Sequence, residues 1–178
     1  MYNVSMPSRE QLLSLLNEQS GLSMTWDQIE FGVPNINSNP TYDRNTEIEL
    51  KGIPDFGYKG STYIYYNRID LAEFEPLARD PFIVQVDVAE GDALTIQHII
   101  DGFNRYFGSA IEAEDISQEL VLPDDYSNGV AFTMEAAAWS LAYRGGVDFT
   151  IRPMDVDIDV AVDNKLLEGL VLTMPPEE

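Results

Sequence analysis

Asp155-Val156-Asp157-Ile158-Asp159 places three carboxylates at alternate positions, and it is the stretch that most resembles the opening of a calcium loop. Such a loop needs glycine at its sixth position for the turn and an acid at its twelfth as a bidentate ligand. Val160 and Leu166 stand there instead. Apolar residues between the acids suit a strand with an acidic outer face. Asp155, Asp157 and Asp159 are thus the metal candidates, and solvated strand charge is the reading that fits their spacing better. Asp124-Asp125, with Glu112, Glu114, Asp115 and Glu119 upstream, reads as solvated loop charge.

His98 is the lone histidine. A general base needs a nucleophile or acid within hydrogen-bond reach. The sequence offers no second histidine and no Gly-x-Ser-x-Gly elbow, so His98 reads as structural or surface. Gly57-Tyr58-Lys59-Gly60 and Gly145-Gly146 open no helix and lack a Gly-Lys-Ser/Thr run, so they read as hairpin turns rather than phosphate cradles. With 31 acidic residues, pairs of carboxylates are findable anywhere and point to no glycoside chemistry. Cysteine is absent, which removes thiol nucleophiles, disulfides and thiolate metal sites. The expectation is a chain that is not an enzyme, with no catalytic residue and no cofactor.

What remains is recognition. Tyr58, Tyr63 and Tyr65 form an aromatic strip, and in a strand Tyr63 and Tyr65 share one face. Exposed tyrosines bury area at low entropic cost, which makes these three interface candidates. Pro34, Asn37 and Pro40 join them from a polar segment over residues 32–45, read as an extended arm or wrapping loop that contacts neighbours.

Charge narrows the partners. Ten Lys+Arg against 31 Asp+Glu give a formal net charge of −21 over 178 residues. Nucleic acid and anionic lipid both demand a basic surface, so neither is an expected partner. No basic leader opens the sequence, and no apolar run nears the roughly 18 residues that span a bilayer. The expected place of synthesis is a cytoplasm.

These residues must be held by elements that the patterning predicts. Ser8 with Gln11 reads as a capping box opening an N-terminal helix whose Leu12, Leu13, Leu15 and Leu16 form the apolar stripe, stopped at Gly21. Residues 25–28 read as a capped turn. Alternation predicts strands over 46–51, 61–68, 82–86, 130–138, 147–152 and 156–162. Thr95 caps a central helix with Ile96, Ile99, Ile100, Phe103, Tyr106 and Phe107 on one face, ended by Gly108. The fold class is α+β: mostly antiparallel β, one central helix and a helical N-terminus. The organisation is a helical segment 1–31, the arm 32–45 and an α+β domain 46–178. An echo between Gly57-Tyr58-Lys59-Gly60 and Ala142-Tyr143-Arg144-Gly145 suggests two related β-hairpin units, 46–88 and 130–162, around a helical middle 95–116.

Several motifs together carry a resemblance. They are Pro7-Ser8-Arg9-Glu10-Gln11-Leu12-Leu13, Trp26-Asp27-Gln28-Ile29-Glu30-Phe31-Gly32 and Arg44-Asn45-Thr46, followed by Tyr66-Asn67-Arg68-Ile69-Asp70-Leu71 and Ser140-Leu141-Ala142-Tyr143-Arg144-Gly145. With them the chain resembles the small virion structural proteins of large tailed bacteriophages. The resemblance implies a non-enzymatic part of the particle, either a capsid-decorating or accessory protein or a tail or baseplate subunit. Its partners would be other virion proteins, or further copies of itself in a symmetric assembly. The alternative from another class is an acidic DNA mimic that inhibits a host DNA-binding protein, motivated by the charge.

Overall fold

The computed structural model describes residues 5–77, 82–89 and 91–154. The chain runs α1 (Ser8–Ser20), β1 (Ile29–Phe31), β2 (Asn35–Ile36), β3 (Thr46–Gly52), β4 (Ser61–Tyr66) and β5 (Ile69–Asp70). A 3-10 helix (Leu71–Leu77), β6 (Ile83–Val86), α2 (Ile96–Phe107) and a 3-10 turn (Ala113–Asp115) follow, then β7 (Val130–Glu135), β8 (Tyr143–Arg144) and β9 (Gly146–Pro153). The fold is α+β, with mostly antiparallel strands, an N-terminal helix and a central helix.

Three small sheets share the strands. β3 is flanked by β4 on one side and by the interrupted pair β1 and β2 on the other, all antiparallel. β9 lies between β7, antiparallel, and β6, parallel. The third sheet is a two-residue parallel clasp, Ile69 beside Tyr143 and Asp70 beside Arg144. The strands expected over 156–162, and with them Asp155, Asp157 and Asp159, lie outside the described residues.

The main core forms where α2 presses its apolar face on the β6–β9–β7 sheet. Ile99, Ile100 and Phe103 are fully buried against Val84, Val86, Met134 and Ile151. Phe74, Phe82, Phe107 and Phe149 surround Phe103 with ring centroids 4.6 to 6.3 Å away. The expected helix face is thus the one buried, except that Tyr106 is 42% exposed at its edge. Thr95 caps it as expected, and His98 completes a capping box by accepting from the Thr95 N–H at Nδ1. A second, smaller cluster of Met24, Ile29 and Leu50 lies between α1 and the β3 sheet, with Leu13, Leu16 and Tyr58 against it.

Three sequence expectations are corrected or narrowed. Ser8 is not the cap of α1. The helix begins at Ser8 with Pro7 in the cap position, and Ser8 turns inward to a distant carboxylate. Gln11 reaches back to the Met6 carbonyl at 2.6 Å. Second, of the two readings of residues 32–45, an extended arm or a wrapping loop, the segment takes the loop. The Gly32 N–H donates to the Glu49 carbonyl, Asn35 and Ile36 pair with Glu47 and Thr46, and the segment folds back along β3. Asn37 closes the loop by donating to the Tyr42 and Arg44 carbonyls at 2.9 and 3.0 Å, while its Oδ1 accepts from the Asn39 N–H. Asparagine side chains stand in for main-chain partners here, which is turn chemistry rather than arm composition.

Third, the two echoed tetrapeptides do different work. Tyr58 and Lys59 lie in the connection between β3 and β4, whereas Tyr143 and Arg144 form strand β8. Both copies do sit in β-hairpins, β3–β4 and β7–β9, but β8 lies within the second connection and pairs with β5. Gly145 takes φ of +69°, and a Cβ there would meet Asp70 Oδ1 at 2.4 Å, so this position needs glycine.

Candidate functional site

A cleft of about 510 Å³ lies where α1, β1, the Ala113–Asp115 turn and the β7–β8 connection meet. Its walls include Arg9, Trp26, Phe31, Glu30 and Trp139, and its floor is Ser8, Asp115 and Ser140. These come from four separate stretches, so the cleft exists only in the folded chain.

Asp115 organises the floor. The Ser8 and Ser140 hydroxyls both donate to its Oδ1 at 2.6 Å, and the Glu112 N–H donates to Oδ2 at 3.2 Å. The residue is 2% exposed. A buried carboxylate is tolerated only when hydrogen-bonded, and three donors meet that need. Ser140 Oγ in turn accepts from the Tyr143 N–H at 3.1 Å. Burial pushes the Tyr143 phenol up to about 12.

Arg68 grips the same loop from the opposite side. Its guanidinium donates to Thr46 Oγ1 and to the carbonyls of Ala138, Ser140 and Tyr143. Desolvation lowers its pKa, with Arg144 adding to that effect and Tyr66 opposing it. Asn45 locks the arginine's own backbone, accepting from the Arg68 N–H at 2.8 Å and donating to its carbonyl at 2.9 Å. Asn45-Thr46, the Asn67-Arg68 pair and the Ala138 to Tyr143 stretch, apart in sequence, are therefore one polar network that positions the cleft rim.

Trp139 sits on that rim, 54% exposed, with its indole N–H donating to the Glu114 carbonyl at 2.9 Å. The ring is fixed at one end and open on its face. Across the cleft the Arg9 guanidinium lies 4.5 Å from the centre of the Trp26 ring, which packs edge-on to Phe31 at 5.5 Å. Both of the chain's tryptophans thus line one cleft. Glu112 lies nearby with its pKa raised by burial and by Glu114, Asp115 and Glu10, against the pull of Arg9.

Chemically the cleft offers aromatic faces, one guanidinium and a few carboxylates, with its buried serines already spent on Asp115. His98 is committed to the α2 cap. Among the described residues, no group of three or more His, Asp or Glu side chains is arranged to hold a metal. None of the helices there is long and apolar enough to cross a membrane.

The six interface candidates are not brought together. Tyr63 is exposed on the outer face of β4, and Tyr65 beside it stacks on Tyr42 with centroids 4.1 Å apart. Tyr58 packs into the smaller core. Pro34 is buried, the Asn37 amide is consumed within its own loop, and Pro40 is exposed. Sequence reading passed over Arg9, Trp26 and Trp139. The available signal was that the largest side chains, only two tryptophans, sat outside every predicted apolar face.

No curated protein and no solved structure matches the chain. A family model matches residues 1–178, and the chain belongs to that family, DUF7941, a family of unknown function.

Proposed function

We propose that the chain is a non-enzymatic, protein-binding component of a tailed-phage virion that docks to a neighbouring particle protein through the Trp26–Trp139 cleft. The observation that carries this is Trp139, held by its N–H while its ring face stays open to solvent. Pre-fixed tryptophan and arginine side chains are the groups that dominate protein interfaces, because little entropy remains to be lost when they are covered. The virion setting is supported by the motif resemblance, and most of those motifs lie in the network that builds the cleft rim.

The test is to purify particles, separate heads from tails and ask which fraction retains the chain through a high-salt wash. Retention in one fraction, with loss of incorporation for Trp139→Ala folded as the parent, is the expected result. Absence from particles would overturn the reading. Salt-sensitive complexes with a basic DNA-binding protein would then point to the DNA mimic.

A further inference from the structure

β4 is an open sheet edge. The Gly52 N–H donates to the Gly60 carbonyl at 2.9 Å, and the register runs on from Lys51 beside Ser61 to Thr46 beside Tyr66. In an antiparallel pair, bonded and non-bonded positions alternate. Thr62, Ile64 and Tyr66 therefore bond to β3, while Ser61, Tyr63 and Tyr65 turn their N–H and C=O groups outward. The Gly32 N–H meeting the Glu49 carbonyl on the far side of β3 confirms the phase, because Glu49 is opposite Tyr63. Among the described residues nothing pairs with those outward groups.

Proteins blunt such edges with charge, proline, bulges or short strands. The edge formed by β1 and β2 is short and interrupted at Gly32-Val33-Pro34. The outer edge of β7 is partly taken, with Ser117 N–H on the Glu135 carbonyl and Ile116 bridged to Ala136. β4, Ser-Thr-Tyr-Ile-Tyr-Tyr, has none of these protections, and it is a six-residue uncharged run in a chain of net charge −21.

We infer that β4 pairs with β4 of a second copy, antiparallel across a twofold axis centred on Tyr63. The outward set is self-complementary in that register. Tyr63 meets Tyr63 and each Ser61 meets a Tyr65, so every outward group finds a partner and each pair exchanges two main-chain hydrogen bonds. The exposed Tyr63 rings become neighbours on one face. On the other face Thr62 of the second copy comes opposite Ile64, beside a hollow of about 580 Å³ between α1 and β4 whose apolar wall includes Leu12, Leu15, Leu16 and Ile64, and Ile64 of the second copy comes opposite Thr62. Glu47 and Glu49 lie one strand back, and Glu49 pairs with Lys51 at 3.3 Å. This pairing does not depend on the virion reading.

The test is light scattering behind size exclusion on the full chain, from about 1 to about 100 µM. The mass should rise from 20.0 kDa toward twice that value, and more readily at higher salt as repulsion between acidic copies is screened. Tyr63→Pro removes an outward N–H without touching the β3 ladder, and Tyr63→Lys sets two like charges on the axis. Each should raise the dimer dissociation constant by about tenfold or more. Having both keeps the test decisive if the proline variant folds poorly. Hydrogen exchange should show Ser61, Tyr63 and Tyr65 amides protected only in the dimer. A monomer at every concentration, a dimer indifferent to both variants, or fast exchange of those amides within the dimer would each overturn the inference.

Discussion

Ser8 Oγ lies 2.6 Å from Asp115 Oδ1, joining the first turn of α1 to a turn 107 residues further along the chain. Both side chains are buried. A hydrogen bond to a buried carboxylate is worth about 1.5–3 kcal/mol. Ser8→Ala should lower stability by that amount, read as a shift in the urea midpoint with the slope unchanged. Ser14→Ala, exposed on the same helix, should stay within about 0.5 kcal/mol of the parent. Equal effects would mean that Ser8 acts through helix propensity and not through Asp115.

Glycine within a helix normally improves on replacement by alanine, by roughly 1 kcal/mol. Gly102 in α2 should do the reverse. A Cβ there would stand 2.4 Å from the Gln85 carbonyl oxygen and 3.0 Å from Val84 Cγ1, so α2 would have to lift off β6. Gly102→Ala should cost about 1–3 kcal/mol, the usual penalty for overpacking, and thermal unfolding will read it. A stabilised variant would place α2 further from the sheet than described.

Tyr66 has a buried hydroxyl with no hydrogen-bond partner among the described residues. Burial holds its phenol well above the ordinary range, against a smaller opposing pull from Arg68. Tyr66→Phe removes a desolvated donor while keeping the ring, so it should raise stability by about 1 kcal/mol, or roughly 2–4 °C in Tm. A lower Tm would mean that the hydroxyl has a partner after all.

Glu112 should make the fold more stable in mild acid. Its raised pKa means that the folded chain holds this proton at pH values where the unfolded chain has released it. Stability therefore rises as pH falls through that window and levels off below the unfolded value of about 4.3. Glu112→Gln should be more stable than the parent at pH 7, by less than about 1 kcal/mol because the carboxyl is largely solvated. The advantage should vanish near pH 4, as chemical denaturation at both pH values will show. A constant difference would assign the effect to something other than titration.

The α2 face was legible, apart from the exposed Tyr106 at its edge, because Ile96, Ile99, Ile100, Phe103, Tyr106 and Phe107 repeat at helical spacing between a threonine cap and a glycine stop, all of it local information. The strands over 46–51 and 147–152 were legible for the same reason, since alternation reports a half-buried face. The role of Ser8 was not. Its local pattern matches a capping box, and only Asp115, far along the chain, turns it inward. The segment over residues 32–45 was legible only as arm or loop, because the asparagines that suggest an open polar arm are also the residues that close a wrapping loop. The cleft was invisible for a related reason. Arg9, Trp26 and Trp139 belong to no common periodicity, and Arg68 and Asp115, which hold the rim, look like ordinary surface charges until the fold buries them.

The clasp of Ile69 with Tyr143 and Asp70 with Arg144 has a kinetic meaning. The β3–β4 and β7–β9 hairpins join residues close in sequence and need only short loops to close. The clasp, the Arg68 grip on Ala138 across 70 residues and the Ser8–Asp115 bond across 107 must wait for long ones. Contacts of high sequence separation are entropically costly to make early and form slowly. The order of assembly therefore runs from the two hairpins to the clasp, and the tryptophan cleft, bounded by the latest contacts, is finished last. The surface proposed for partner binding is thus the part of the molecule that only a completely folded chain can present.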